Sequence, residues 1–331
     1  METKDSTIIT QPPKIIKAIV DGFNTVTNHI GLILFPIILD LVIWMGPRLK
    51  LETLLTPIIE KANETLLTYN GADMSQIVES AREAWIVIIE RLNLTSTLST
   101  FPIGIPSLIA GAGYNQTPIG IPIVYEMPSL SIAILFFLLL AVAGIILGSF
   151  YFSAIAQSTL PDQVIFNFPK LLKQIGNSYG MIIMMIMVGF SILIPVFFII
   201  SIFAIFSPAL SQIVLLIISF VLLWLLVPLV FSPHGIFVNQ LNIIRSIMTS
   251  IRLVRAFLPG TGLFILIAIL MAQGLDSLWL AAPASSWLTL VGIAGHAFVY
   301  TSLLAASFIY YRQGLDWMET NLKQFNKSIN I

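Results

Sequence analysis

The chain has 331 residues, of which 57% are hydrophobic and only 10% charged, with a mean hydropathy of +0.95. A soluble domain carries about 25% charge, and a water-facing fold this apolar would expose large hydrophobic patches, so the composition calls for a bilayer. Sixteen basic residues balance sixteen acidic ones and there is no cysteine, which argues against nucleic acid as a partner and excludes disulfides, thiolate metal sites and cysteine nucleophiles.

Taken in chain order, the first element is an amphipathic helix. Ile15, Ile19, Phe23, Val26 and Ile30 share one face at helical spacing, with Lys14, Lys17, Asp21 and Asn28 mostly elsewhere. A first span follows at 26–46. Its basic flank and the Gly46-Pro47-Arg48 that succeeds it, in place of an Ala-x-Ala site, read as an uncleaved signal anchor. Asp40 lies inside this span. An acid at the centre of a spanning helix costs roughly 2.5–3.5 kcal/mol and tends to be functional. Four residues from Trp44 are only about 6 Å of helix rise, so a pairing with Arg48 or a cap on the following loop is the structural alternative.

Residues 47–127 form an extracytoplasmic insert. Leu51, Leu55, Ile58, Ala62 and Leu66 mark one amphipathic helix, and Ile77, Ala81, Trp85, Ile88 and Leu92 a second, with a turn at Asn70-Gly71-Ala72-Asp73. Such a hairpin leaves apolar surface for the membrane or a partner. A loop at 93–127 carries one pentapeptide twice, Pro102-Ile103-Gly104-Ile105-Pro106 and Pro118-Ile119-Gly120-Ile121-Pro122. Proline and glycine oppose regular structure there, yet the loop is too apolar to float in water. It is expected to hug the membrane over the hairpin or to serve as a lip for a partner or substrate. Asn63, Asn93 and Asn115 match the glycosylation pattern, to which no meaning is attached.

Further spans are predicted at 129–152, 179–206, 209–231, 257–273 and 286–311, with Ser207-Pro208 as the turn of a hairpin and the fifth span the shortest. Gly144 and Gly148 are spaced for close helix contact, within the bundle or between copies. His296 sits in the last span with Tyr300 one turn on; a neutral, hydrogen-bonded core role is the plain reading, and a proton-coupling pair with Asp40 the sharper one. Asp276 and Gln273 read as interfacial, and His234, after Pro233, as structural.

With the N-terminus inside, the cytoplasmic segments hold 11 of the 16 basic residues, and the other five lie in the insert beside eight acids. The short segments thus obey the positive-inside rule. Trp44, Trp279 and Trp287 fall at the outer boundary and Trp317 just inside. Pro13-Lys14-Ile15-Ile16-Lys17 resembles Pro169-Lys170-Leu171-Leu172-Lys173, and 242–247 is a looser third copy in which Ile244, Ile247, Ile251, Val254 and Leu258 oppose Arg245, Arg252 and Ser246. This predicts three units, each an in-plane helix followed by a transmembrane hairpin. The in-plane helices either cap the bundle or meet anionic lipid through Lys14, Lys17, Lys170, Lys173, Arg245, Arg252 and Arg255.

The segment 243–255 leading into a span, and a last span ending in Tyr310-Tyr311-Arg312, resemble a broad group of bacterial six-span proteins that includes the membrane domain fused to glycerophosphodiester phosphodiesterases. The resemblance covers 152–312, about half the chain. Residues 39–48 are similar to a segment of uncharacterised Chloroflexi-type membrane proteins. It implies a bacterial cytoplasmic membrane and the six-span architecture, and leaves function open; the insert departs from the group, and no phosphodiesterase domain is present.

The sequence therefore predicts an all-α membrane protein with six transmembrane helices, cytoplasmic in-plane amphipathic helices and an external helical-hairpin insert. Its parts are 1–46, the insert at 47–127, a five-helix remainder at 128–312 and a cytoplasmic tail at 313–331, with both termini cytoplasmic. No metal-protease, nucleophile-elbow or phosphate-loop motif is present, so neither catalysis nor a cofactor is expected. The leading expectation is a non-catalytic protein that organises anionic lipid, or a membrane partner docked through 93–127. The alternative is a transporter or permease for a small solute that uses Asp40 and His296, with Tyr300 beside them.

Overall fold

A computed structural model describes residues 11–70, 75–160 and 167–329; residues 71–73 of the expected insert turn lie outside them. The described chain is helical, in the order α1 (Ile15–Asn28), α2 (Leu34–Met45), β1 (Arg48–Lys50), α3 (Glu52–Asn70), α4 (Ser75–Arg91), β2 (Val124–Glu126), α5 (Leu130–Ser158), α6 (Phe168–Phe206), α7 (Pro208–Leu226), α8 (Ser232–Val238), α9 (Ile243–Ala256), α10 (Leu258–Trp279) and α11 (Thr289–Ile329). Among the described residues, five helices are long and apolar enough to cross a membrane, and six if α1 and the stretch up to Met45, bent by 92°, count as one span. Side chains from about residue 182 of α6 to the end of α7 are largely apolar and exposed, including Phe190, Phe197, Phe198, Phe220 and Trp224. Water cannot solvate such a hairpin, whereas lipid does. The chain is a membrane-embedded helical protein.

It divides into two compact units. The first comprises Met1–His29, Phe152–Met271 and Thr301–Ile331. Its core gathers Ala18 and Ile19 of α1, Leu253 and Val254 of α9, Phe264 of α10, and Ala306, Ile309, Tyr310 and Tyr311 of α11 around Phe231. Gly22 lets α1 touch α11, because a Cβ there would stand 2.6 Å from Ala306. His234 is buried among Phe231, Phe308 and Tyr311 and bonds Ser307 Oγ at 2.7 Å.

The helical repeat is present at two of its three sites. Helices α1 and α9 each have 14 residues and each ends on a non-helical residue of like geometry, His29 (φ −128°, ψ 53°) and Phe257 (φ −142°, ψ 57°). The second copy differs. Asn167 caps α6 by accepting from Lys170 N at 3.1 Å, and the helix then runs 39 residues without a break, about 58 Å of rise. Lys170 and Lys173 thus sit on the first turns of a continuous helix and not on a separate in-plane one. In α9 the inward stripe is Ser246, Ser250, Leu253 and Val254, while Ile244 is exposed. The serine hydroxyls face inward because they donate to the main-chain oxygens of Ser232 and Pro228, at 2.5 and 2.7 Å. The expected tail is helix as well, since α11 continues to Ile329.

The second unit comprises Ile30–Tyr151 and Ala272–Tyr300. The insert keeps its helical hairpin, but Ile58, Leu66, Trp85 and Ile88, the expected facing stripes, are exposed, and Val78 and Ile89 are buried instead. The two pentapeptides have opposite fates. Ile103 and Ile105 are 0% and 3% exposed, whereas Ile119 and Ile121 are 71% and 82% exposed. The first copy lies on Gly148, where a Cβ would stand 2.5 Å from Gly104 Cα, and the segment just before it lies on Gly144, where a Cβ would stand 2.7 Å from Leu98 O. The glycine pair therefore receives a loop rather than a helix. Strands β1 and β2, absent from the sequence reading, pair in parallel with Arg48 opposite Val124 and Lys50 opposite Glu126. Trp44 is buried and donates to Ala284 O at 3.2 Å.

Candidate functional site

Two places gather the residues that could bind or carry protons. In the second unit, Asp40 is fully buried on α2. Its carboxylate accepts from Ser107 Oγ, from Leu108 N at 3.1 Å and from Ile109 N at 3.2 Å, while Ser107 Oγ accepts from Ala110 N at 3.0 Å. The acid caps the backbone of the insert loop, the structural alternative that the sequence left open. It makes no bond to Arg48 or to His296.

The carboxylate beside His296 is Asp276. His296 Nδ1 lies 2.9 Å from Asp276 Oδ1, and Tyr300 Oη donates to Asp276 Oδ2 at 2.8 Å. The His296 and Tyr300 rings are 4.1 Å apart, and His296 Nε2 is buried without a hydrogen-bond partner. Helices α10 and α11 thus bring a carboxylate, an imidazole and a phenol into one bonded cluster. Sequence reasoning placed Asp276 at the interface and missed it. The usable signal is symmetry: 276 and 296 are equidistant from 286, inside the connection between two antiparallel helices.

In the first unit, α1 and α10 flank a groove of about 660 Å³. Ile16 (68% exposed), Val20 (50% exposed), Phe257, Leu263 and Ile267 line it, and Lys14 and Lys17 stand at its edge. The apolar side chains not used against the core at Ala18, Ile19, Gly22 and Val26 form this second stripe of α1. The other expected headgroup contacts, Lys170, Lys173, Arg245, Arg252 and Arg255, belong to the same unit. None of the seven cations forms an ion pair with a carboxylate among the described residues. A wall of hydrocarbon with unpaired ammonium groups at its rim matches an acyl chain carrying a phosphate.

Comparison with known proteins gives no relative: no family model matches the chain, and no curated protein and no solved structure is significantly similar to it.

Proposed function

We propose that this protein is a non-catalytic multi-pass protein that binds and organises anionic lipid at the cytoplasmic face of a bacterial cell membrane. In this reading the bent stretch from the end of α1 through α2, together with α5, α6, α7, α10 and α11, makes the six spans, and both termini are cytoplasmic. The chain then groups with the six-span bacterial proteins it resembles. The observation that carries the proposal is the groove beside α1, whose apolar wall and two free lysines suit one lipid at once by its chain and by its headgroup. Each cation near an anionic leaflet contributes about 1 kcal/mol, so Lys14 and Lys17 together favour an anionic over a zwitterionic lipid by up to about 30-fold. The test is thermal stability of the protein reconstituted in phosphatidylcholine vesicles with and without phosphatidylglycerol. The wild type is stabilised by the anionic lipid and the Lys14→Gln/Lys17→Gln variant is not; equal stabilisation of both rejects the reading.

A second reading, a proton-coupled permease, rests on Asp276, His296 and Tyr300. A carboxylate bonded to an imidazole and a phenol within a span is a group that can exchange protons with a passing solute. It requires substrate-dependent proton uptake into vesicles that Asp276→Asn abolishes without loss of folded protein.

A further inference from the structure

Strand geometry puts Arg48 and Lys50 on the same side of β1. Both are buried, at 6% and 8% exposure. Burial holds the Arg48 guanidinium below its ordinary pKa, and burial, then the charge of Arg48, does the same to the Lys50 ammonium. Their compensation is incomplete. Arg48 Nη1 donates to Asn115 Oδ1 at 3.1 Å, but its Nε is buried with no partner. Lys50 Nζ donates to the main-chain oxygen of Glu90 and feels Glu52, Glu126 and Glu90 only at longer range. Among the described residues, neither cation has a carboxylate within ion-pair distance.

These two side chains line a cavity of about 20 Å³ together with Arg91, Asn93, Tyr114 and Asn115. Tyr114 Oη is a second buried donor without a partner. Three cationic residues and an unused hydroxyl thus surround a space that holds about one water-sized particle. A buried cation is tolerated when an opposite charge meets it. A space of that size suits a single monatomic anion.

We propose that the insert binds one chloride ion between Arg48, Lys50 and Tyr114. The ion links β1, the end of α4 at Arg91 and the loop around Tyr114, so the order of the insert depends on halide. The amide oxygens of Asn93 and Asn115 are engaged within this site: Asn93 Oδ1 accepts from Leu49 N and Thr95 N, and Asn115 Oδ1 from Arg48.

The experiment is thermal unfolding of the full-length protein in lipid discs as chloride replaces gluconate at constant ionic strength. The melting temperature rises saturably with chloride and with bromide. Tyr114→Phe, which removes a donor and no charge, moves the half-saturating chloride concentration up by about two- to tenfold, and Arg48→Met abolishes the dependence. Bromide added to crystals of the wild type gives an anomalous peak in the cavity. A melting temperature indifferent to halide, or a cavity without a bromide peak, overturns the proposal and assigns the space to water. Because Arg48→Met can fail to fold, the wild-type titration and the bromide peak decide on their own.

Discussion

Replacing Asp40 tests whether an intramembrane acid is there for chemistry or for folding. In the structure its carboxylate satisfies two buried backbone N–H groups, those of Leu108 and Ile109, and the Ser107 hydroxyl. Asp40→Ala orphans all three donors. A buried donor left without its acceptor costs about 1–3 kcal/mol, so the two amides alone give about 2–6 kcal/mol against the closed loop. At about 1.4 kcal/mol per factor of ten, the opening equilibrium shifts by about 30-fold or more. Asp40→Asn keeps the shape and one acceptor oxygen but turns an amide donor toward donors, so about half that cost is expected. Hydrogen exchange in lipid discs, followed by mass spectrometry, reads this directly. Peptides covering 103–112 accelerate in the order Ala, Asn, wild type, while peptides from α9 are unchanged. If exchange across 103–112 is the same in all three proteins, the carboxylate does not hold the loop and the argument for a structural Asp40 fails.

Three other outcomes follow from the same geometry. Gly148→Ala forces a methyl within 2.5 Å of Gly104 Cα and 2.9 Å of Ile103 O. Overpacking of backbone on backbone costs about 1–3 kcal/mol, seen as a lower melting temperature, whereas Gly189→Ala, with open space around it and alanine favoured over glycine inside a helix, does not lower it. Lys50 has a lowered native pKa, so the folded state sheds its proton before the unfolded state does. Stability at low chloride therefore rises as pH climbs through the native Lys50 value toward about 10.4, the unfolded value; a flat profile from about pH 8 to 11, or one unaltered by Lys50→Met, contradicts the shift. The chain has no cysteine, so single cysteines report topology cleanly. With both termini cytoplasmic, an impermeant reagent labels position 115 in intact cells and spares 170 and 248, and labelling at 170 or 248 contradicts that orientation.

What the sequence disclosed depends on the range of the interaction that decides each feature. Apolar runs and the Ser207-Pro208 break are local, and the helices from α5 onward appear where they predict, whereas the expected first span at 26–46 is broken by a 92° bend between α1 and the stretch up to Met45. The fifth span is longer than its hydropathy implied, because α10 continues through Gln273 and Asp276 to Trp279. Asp276 is tolerated there by bonds to His296 and Tyr300 on another helix, which no local pattern records. The repeat is legible at α1 and α9 but misleads at α6. Nothing in Ile175-Gly176-Asn177-Ser178 stops the helix, whereas His29 and Phe257 leave helical geometry. The inward face of α9 was misread because serine counts as polar in a periodicity argument. Here Ser246 and Ser250 are buried donors to carbonyls near Pro228 and Pro233, where proline leaves helical hydrogen bonding incomplete. The pairing of Arg48–Lys50 with Val124–Glu126 joins three-residue strands over 70 residues apart, and it is this closure that buries Arg48 and Lys50.

The groove beside α1 supports the central claim, and its occupant is open to direct observation. The protein is extracted in native lipid discs, transferred gently to the gas phase, and the masses retained on it are recorded for the wild type and for the Lys14→Gln/Lys17→Gln variant. The account predicts a bound phospholipid of anionic headgroup on the wild type, at about one per chain, and its loss or replacement by zwitterionic lipid in the variant. A wild type that carries no anionic lipid above its share of the surrounding disc, or a variant that retains it equally, contradicts the proposed function.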